Sequence, residues 1–149
     1  MKNLTTSEIA RQNVLNNKYA LEEIQKAIGL RGIIFEGELK FTKQQLSSFF
    51  EVSDRTINSC LLRNEKELRD NGYEVIVGNR LKNFKLAFTI DDDREVNFLI
   101  KSNKLGIFNF RAFINIAMLL SKSERAREVR SLVLDIVIDT INKRTGGNT

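Results

Sequence analysis

An α+β fold is predicted for this chain of 149 residues on three observations. Several segments carry apolar residues at helical spacing, short alternating runs bounded by glycine lie between them, and the two patterns interleave along the chain. With 42% apolar residues, 29% charged residues and ten Phe, the composition supplies a core and is too apolar for disorder.

From Thr5 to Ile28 there is no glycine or proline, and Tyr19, Ala20, Ile24, Ala27 and Ile28 recur helically, so a helix is predicted that Gly29 and Gly32 end. Ile33-Ile34-Phe35 and Leu39-Lys40-Phe41 flank Glu36-Gly37-Glu38 as two short strands around a turn. Thr42 suits the N-cap of a helix over Lys43 to Phe50, with Leu46, Phe49 and Phe50 on its apolar face. Ser53 caps the next helix, whose pattern Ile57, Cys60, Leu61, Leu68 runs to the stop signal Asn71-Gly72. Tyr73 to Val77 and Phe84 to Thr89 alternate as strands, joined by Gly78-Asn79-Arg80-Leu81-Lys82-Asn83.

Further on, Val96 to Ile100 is a short apolar run, and Gly106 to Phe110 reads as a strand or extended segment. Arg111 to Leu120 is apolar on more than one face, which predicts a buried helix. Ser123 then caps a last helix in which Val129, Leu132, Val133, Ile136, Val137 and Ile141 form one stripe. The tail, Thr145-Gly146-Gly147-Asn148-Thr149, has the composition of a linker, and a further domain beyond residue 149 is expected.

Short helix, tight turn, helix and a hairpin with a basic tip are the parts of a winged helix-turn-helix, here followed by a mainly helical C-terminal part. Leu46, Phe50, Val52, Ile57 and Cys60 fall where the two helices must touch, and Ser47 is the small residue at their crossing. Glu51 stands where the turn commonly uses glycine, so it must adopt an unusual backbone angle or a different turn. The acidic block Asp91, Asp92, Asp93 and Glu95, opposed only by Arg94, marks a boundary between residues 1–90 and 91–149. The same block also fits a surface loop within one domain.

Much chemistry is excluded. There is no His, Trp or Pro, which removes the commonest general base, the Ser-His-Asp and Cys-His systems and most zinc sites. Lone Cys60 reads as a small core residue, and it indicates a reducing compartment and a cytoplasmic protein. Asp91 to Asp93 lack the alternate spacing of a calcium loop, the eight glycines form no phosphate-binding pattern, and no membrane span or signal peptide is present. No enzyme, catalytic residue, metal or cofactor is expected.

Double-stranded DNA is the expected partner. Arg55, Asn58 and Ser59 point outward from the second helix, where a guanidinium suits guanine and a carboxamide suits adenine. Thr42, Lys43, Gln44, Ser53, Thr56 and Arg63 are placed to hold phosphates. Asn79, Arg80, Lys82, Asn83 and Lys85 would form the basic wing, with Arg125, Arg127 and Arg130 as additional phosphate contacts. The alternative is a protein-interaction module, antirepressor-like or self-associating as a homodimer, in which these cations are a solvated face and an exposed Leu62 meets a partner.

Phe41-Thr42-Lys43-Gln44-Gln45-Leu46 through Phe50-Glu51-Val52-Ser53-Asp54-Arg55-Thr56-Ile57, continuing to Asn71-Gly72-Tyr73-Glu74-Val75, resembles the N-terminal DNA-binding region of RhuM-like bacterial virulence proteins. Relatives of that family carry Fic/Doc-type domains. Ala126-Arg127 with Val129-Arg130, then Leu132-Val133, Asp135, Val137 and Ile141, resembles the closing helix of Bro-N phage antirepressor domains. The two resemblances imply a DNA-binding or transcription-regulating module of a bacterium or its mobile elements, with no catalytic residues.

Overall fold

In the computed structural model, which describes residues 3–88 and 101–145, asparagines divide two of the helices expected to be continuous. The first divides into α1 (Glu8–Leu15) and α2 (Lys18–Ile28), because Asn17 leaves helical angles and its side chain accepts the amide of Ala20, capping α2. Asn64, at φ −131°, separates α4 (Asp54–Arg63) from α5 (Glu65–Asp70) and returns its side-chain N–H to the Cys60 carbonyl at 2.9 Å. Periodicity alone carried across both breaks, since the apolar face on either side is shared.

The expected hairpin forms as β1 (Ile33–Phe35) and β2 (Glu38–Thr42), with Phe35 opposite Glu38. Glu36 and Gly37 both take positive φ, 54° and 77°, as a two-residue hairpin loop of type I′ requires. Thr42 ends β2 and caps α3 (Lys43–Phe50) in a capping box with Gln45. β3 (Tyr73–Val77) follows α5, and Gly72 precedes it at φ +117°, where an added Cβ would stand 2.0 Å from the Asn109 side chain.

The second strand of the expected wing is not a strand. Residues Gly78–Phe88 form α6, so Phe84 to Phe88 are helical, while Thr89, Val96 to Ile100 and the acidic block lie outside the described residues. The partner of β3 is instead β4 (Lys104–Asn109), paired antiparallel from Tyr73↔Phe108 to Val77↔Lys104. The four strands run in the order β1-β2-β4-β3, so a strand from beyond the acidic block sits between two from before it.

The sheet decides the fate of α6. One face, carrying Phe41, Tyr73 and Phe108, packs into the main core with α3, α4 and α7 (Phe110–Leu119). The other carries Ile33, Phe35, Ile76, Leu105 and Ile107, and α6 covers it with Leu81 and Phe84. Leu81, Phe84 and Ala87 share a face only in a helix, whereas a strand would align Phe84 with Leu86, which is exposed. Burying five apolar side chains outweighs an alternation that local sequence offers equally well.

Asn109 caps α7 by accepting the Ala112 amide, and α7 is buried almost throughout, as expected. Its Phe113 meets Phe41, Phe49, Phe50 and Phe110 at centroid distances of 5.1–5.8 Å, joining the C-terminal half to α3. Ser123 caps α8 (Glu124–Thr145), accepts the Ala126 amide and donates to the Phe50 carbonyl. α8 lies along α2 and α7, and no helix among the described residues is long and apolar enough to cross a membrane.

Candidate nucleic-acid interface

α3 and α4 meet across Glu51-Val52-Ser53. Glu51 takes φ 56° and ψ 45°, and the amides of Glu51 and Val52 return to the carbonyls of Ser48 and Ser47, a Schellman closure with glutamate in the glycine position. Leu46, Phe50, Ile57 and Cys60 are buried at the contact, with Val52 half-buried. Ser47 lies under the crossing and donates to the Asp54 carboxylate at 2.7 Å, which holds the first turn of α4 against α3. Ser53 caps α4 through the Thr56 amide.

This packing turns one face of α4 outward. Arg55, Asn58, Leu62 and Arg63 are exposed and Ser59 is half-buried. Thr56 is also exposed, although its hydroxyl shares a hydrogen bond with Ser53. Lys43, in the first turn of α3, donates to Asn58 Oδ1 at 2.9 Å, so α3 contributes its cation directly to the face of α4. Thr42 is buried and committed to its cap, which removes its hydroxyl from the expected phosphate contacts; Gln44 stays partly exposed beside Lys43.

Beside this face runs a groove of about 450 Å³ lined by Lys43, Gln44, Asp54, Asn58, Tyr73 and Lys104, among others. Lys104 opens β4 and is exposed, directly across from Val77. Sequence reasoning missed it because the strand was taken to start at Gly106; the signal was the cation immediately before the alternating Leu105-Gly106-Ile107. Tyr73, from β3, forms the groove's aromatic wall against Phe108 at 4.8 Å.

Three acidic side chains of α5 are paired within the fold. Glu65 pairs with Arg69 at 2.8 Å, Asp70 with Lys66 at 2.8 Å, and Glu67 with Arg11 at 2.7 Å. Burial raises the Glu67 pKa, but the hydrogen bonds from Arg11 and Asn115 and the Arg11 charge prevail, leaving it lowered overall. Arg55, Arg63 and Lys104 have no ion-pair partner among the described residues, so with Lys43 they outnumber Asp54, the carboxylate that lines the same groove and accepts from Ser47.

The residues expected at a wing tip are elsewhere. Asn79, Arg80, Lys82, Asn83 and Lys85 all lie on α6, and the sheet stands between that helix and α4. Arg80 is held by two carboxylates, Glu36 at 2.5 Å and Glu74 at 2.8 Å, and those hydrogen bonds raise its pKa. Lys85 donates to the Ser102 carbonyl at 2.6 Å. Asn79, Lys82 and Asn83 remain exposed.

The arginines of α8 also have structural work. Arg130 donates to the carbonyls of Ala117 and Leu120 at 2.9 and 2.8 Å, closing the C-terminus of α7, and burial lowers its pKa. Arg125 lies over the Phe49 ring at 4.7 Å, and Arg127 reaches Glu124 at 3.4 Å. Cys60 is a core residue as expected, its thiol pushed up by burial to about 11. No family model matches this chain, and neither a curated protein nor a solved structure does.

Proposed function

We propose that the chain is a bacterial DNA-binding regulatory module that lays α4 in the major groove and holds flanking phosphates with Lys43, Arg63 and Lys104. The observation that carries this reading is the outward face of α4: Arg55, Asn58 and Arg63 exposed on a helix braced by α3, continuous with the lysines of the adjoining groove. Unpaired cations around base-reading side chains supply both terms of recognition, phosphate affinity and groove readout. The resemblance to RhuM-like proteins includes Lys43 and Arg55 of this face and supports the same role.

A winged-helix arrangement is the finer form of this proposal. It is supported by the succession α2, β2, α3, α4, β3, β4 and by the strand order β2-β4-β3. The wing would then consist of the strands β3 and β4, paired as far as Val77 and Lys104, with α6 following β3. Its basic contact is Lys104, in place of the side chains on α6.

Fluorescence anisotropy with a labelled duplex, titrated at several salt concentrations, tests the proposal. Binding should weaken steeply with salt, and Arg55→Ala or Lys104→Ala should weaken it at low salt, while Arg80→Ala should not, because Glu36 and Glu74 already hold that guanidinium. No binding at low salt would end the reading. A protein-interaction role is then favoured by Tyr19, Ile138 and Ile141, exposed along α2 and α8, and light scattering would detect the self-association it requires.

A further inference from the structure

The face of α4 carries more information than its charge. Lys43 Nζ lies 2.9 Å from Asn58 Oδ1, and an ammonium can only donate, so the orientation of the carboxamide follows: Oδ1 is turned to Lys43 and the Nδ2 donors are turned outward. Reading adenine takes both ends of a carboxamide at once, the oxygen accepting from N6 and the nitrogen donating to N7. With its oxygen turned to Lys43, Asn58 presents its Nδ2 donors outward and so favours an acceptor.

One turn further along the same side, Leu62 is 79% exposed, the most exposed large apolar side chain among the described residues. Lys43, Asn58, Leu61, Leu62 and Tyr73 line one shallow depression of about 360 Å³, so the donor and the apolar side chain face a common space. Glu65 borders it too and is paired with Arg69. In the major groove, one base presents an acceptor next to a methyl group: thymine, with O4 and its 5-methyl. Guanine offers its acceptors without the methyl, cytosine offers an exocyclic donor, and adenine sets its N7 acceptor beside an exocyclic donor, with no methyl for Leu62 to cover.

We infer that Asn58 and Leu62 together read a thymine, Asn58 donating to O4 and Leu62 covering the 5-methyl, with Lys43 as the positioning residue that turns Oδ1 away from the two-ended adenine contact. The inference rests on the DNA-binding reading and deepens it, replacing the adenine preference that a carboxamide alone suggests. Contact with the methyl also removes from water a leucine that is otherwise left exposed.

The test uses the full chain and duplexes that it enriches from a random pool. Replacing each thymine of the enriched site by uracil removes the methyl and keeps O4. At one position this should weaken wild-type binding about fourfold, the value of one buried methyl. Leu62→Ala, whose side chain is exposed and whose fold circular dichroism would verify, should bind the thymine duplex about as weakly as wild type binds the uracil one, and should not distinguish the two. Lys43→Met should lower affinity for every duplex yet raise the adenine-to-thymine ratio at that position. Wild-type binding unchanged by uracil at every thymine, or full thymine preference retained by Leu62→Ala, overturns the inference while leaving DNA binding intact. Failure of wild type to bind or enrich any duplex defeats the DNA-binding reading itself, and the thymine inference with it.

Discussion

Glu67→Leu should be among the most damaging single substitutions outside the apolar core. Arg11 grips this carboxylate with two hydrogen bonds of 2.7 Å, and the two side chains are 7% and 9% exposed. Asn115, fully buried, donates to the same carboxylate at 2.7 Å and accepts from Asn71 at 2.8 Å, so one acid ties α5 to α1 and α7. Removing the acid strands a buried guanidinium, a loss of about 3–5 kcal/mol. The lower end, about 3 kcal/mol, is expected because Arg11 keeps the Leu4 and Thr5 carbonyls at 2.9 and 3.2 Å. With a urea slope of about 2 kcal/mol per M, the midpoint should fall by about 1.5 M, read by circular dichroism. Arg11→Met combined with Glu67→Leu should cost about 2 kcal/mol less than the sum of the two single changes, since neither charge is then left alone. The low pKa of Glu67 sets the pH dependence. Its contribution is complete above the ordinary carboxylate range and is lost as pH falls below it towards the folded-state value, so wild type should lose more stability on acidification than Glu67→Leu. Strict additivity in the double variant, or a midpoint shift under about 0.3 M, would refute the reasoning.

Two further outcomes follow from local geometry. Glu51→Gly removes the left-handed penalty at φ 56° and adds unfolded-chain entropy, so a net gain of about 0.5–1 kcal/mol and a melting temperature higher by a few degrees are expected from calorimetry. Cys60, buried and with its thiol raised to about 11, should react with an aromatic disulfide reagent only on unfolding, so the labelling rate at neutral pH should follow the unfolded fraction through a urea titration.

What the sequence makes legible is local and specific. Thr42, Ser53 and Ser123 cap the helices they were expected to cap, because a side-chain oxygen three residues before an amide acts over one turn and needs no distant partner. The α3–α4 pair was equally readable, since Leu46, Ser47, Phe50, Ile57 and Cys60 meet within one short stretch and even the odd backbone of Glu51 could be foreseen. The outward positions of Arg55, Asn58 and Leu62 follow from that register. So the candidate face was largely visible; the Lys43–Asn58 hydrogen bond was not, because it depends on the angle at which two helices cross.

The part that misled was long-range. Phe84 to Phe88 alternates well enough for a strand, and only the sheet's second face, with Ile33, Phe35, Ile76, Leu105 and Ile107 awaiting cover, makes it a helix. β3 likewise pairs with Lys104–Asn109, a strand whose distance along the chain no local pattern encodes. That exchange puts Lys104, rather than α6, beside the face of α4, while Arg80 is held by Glu36 and Glu74 and Arg130 by the carbonyls that end α7. Caps, turns and amphipathic faces are settled by neighbours in the chain, and the sequence by itself determined them. Which face of the sheet a segment covers, and which cations remain free, are settled by burial summed over the whole molecule, so only the tertiary structure decided them.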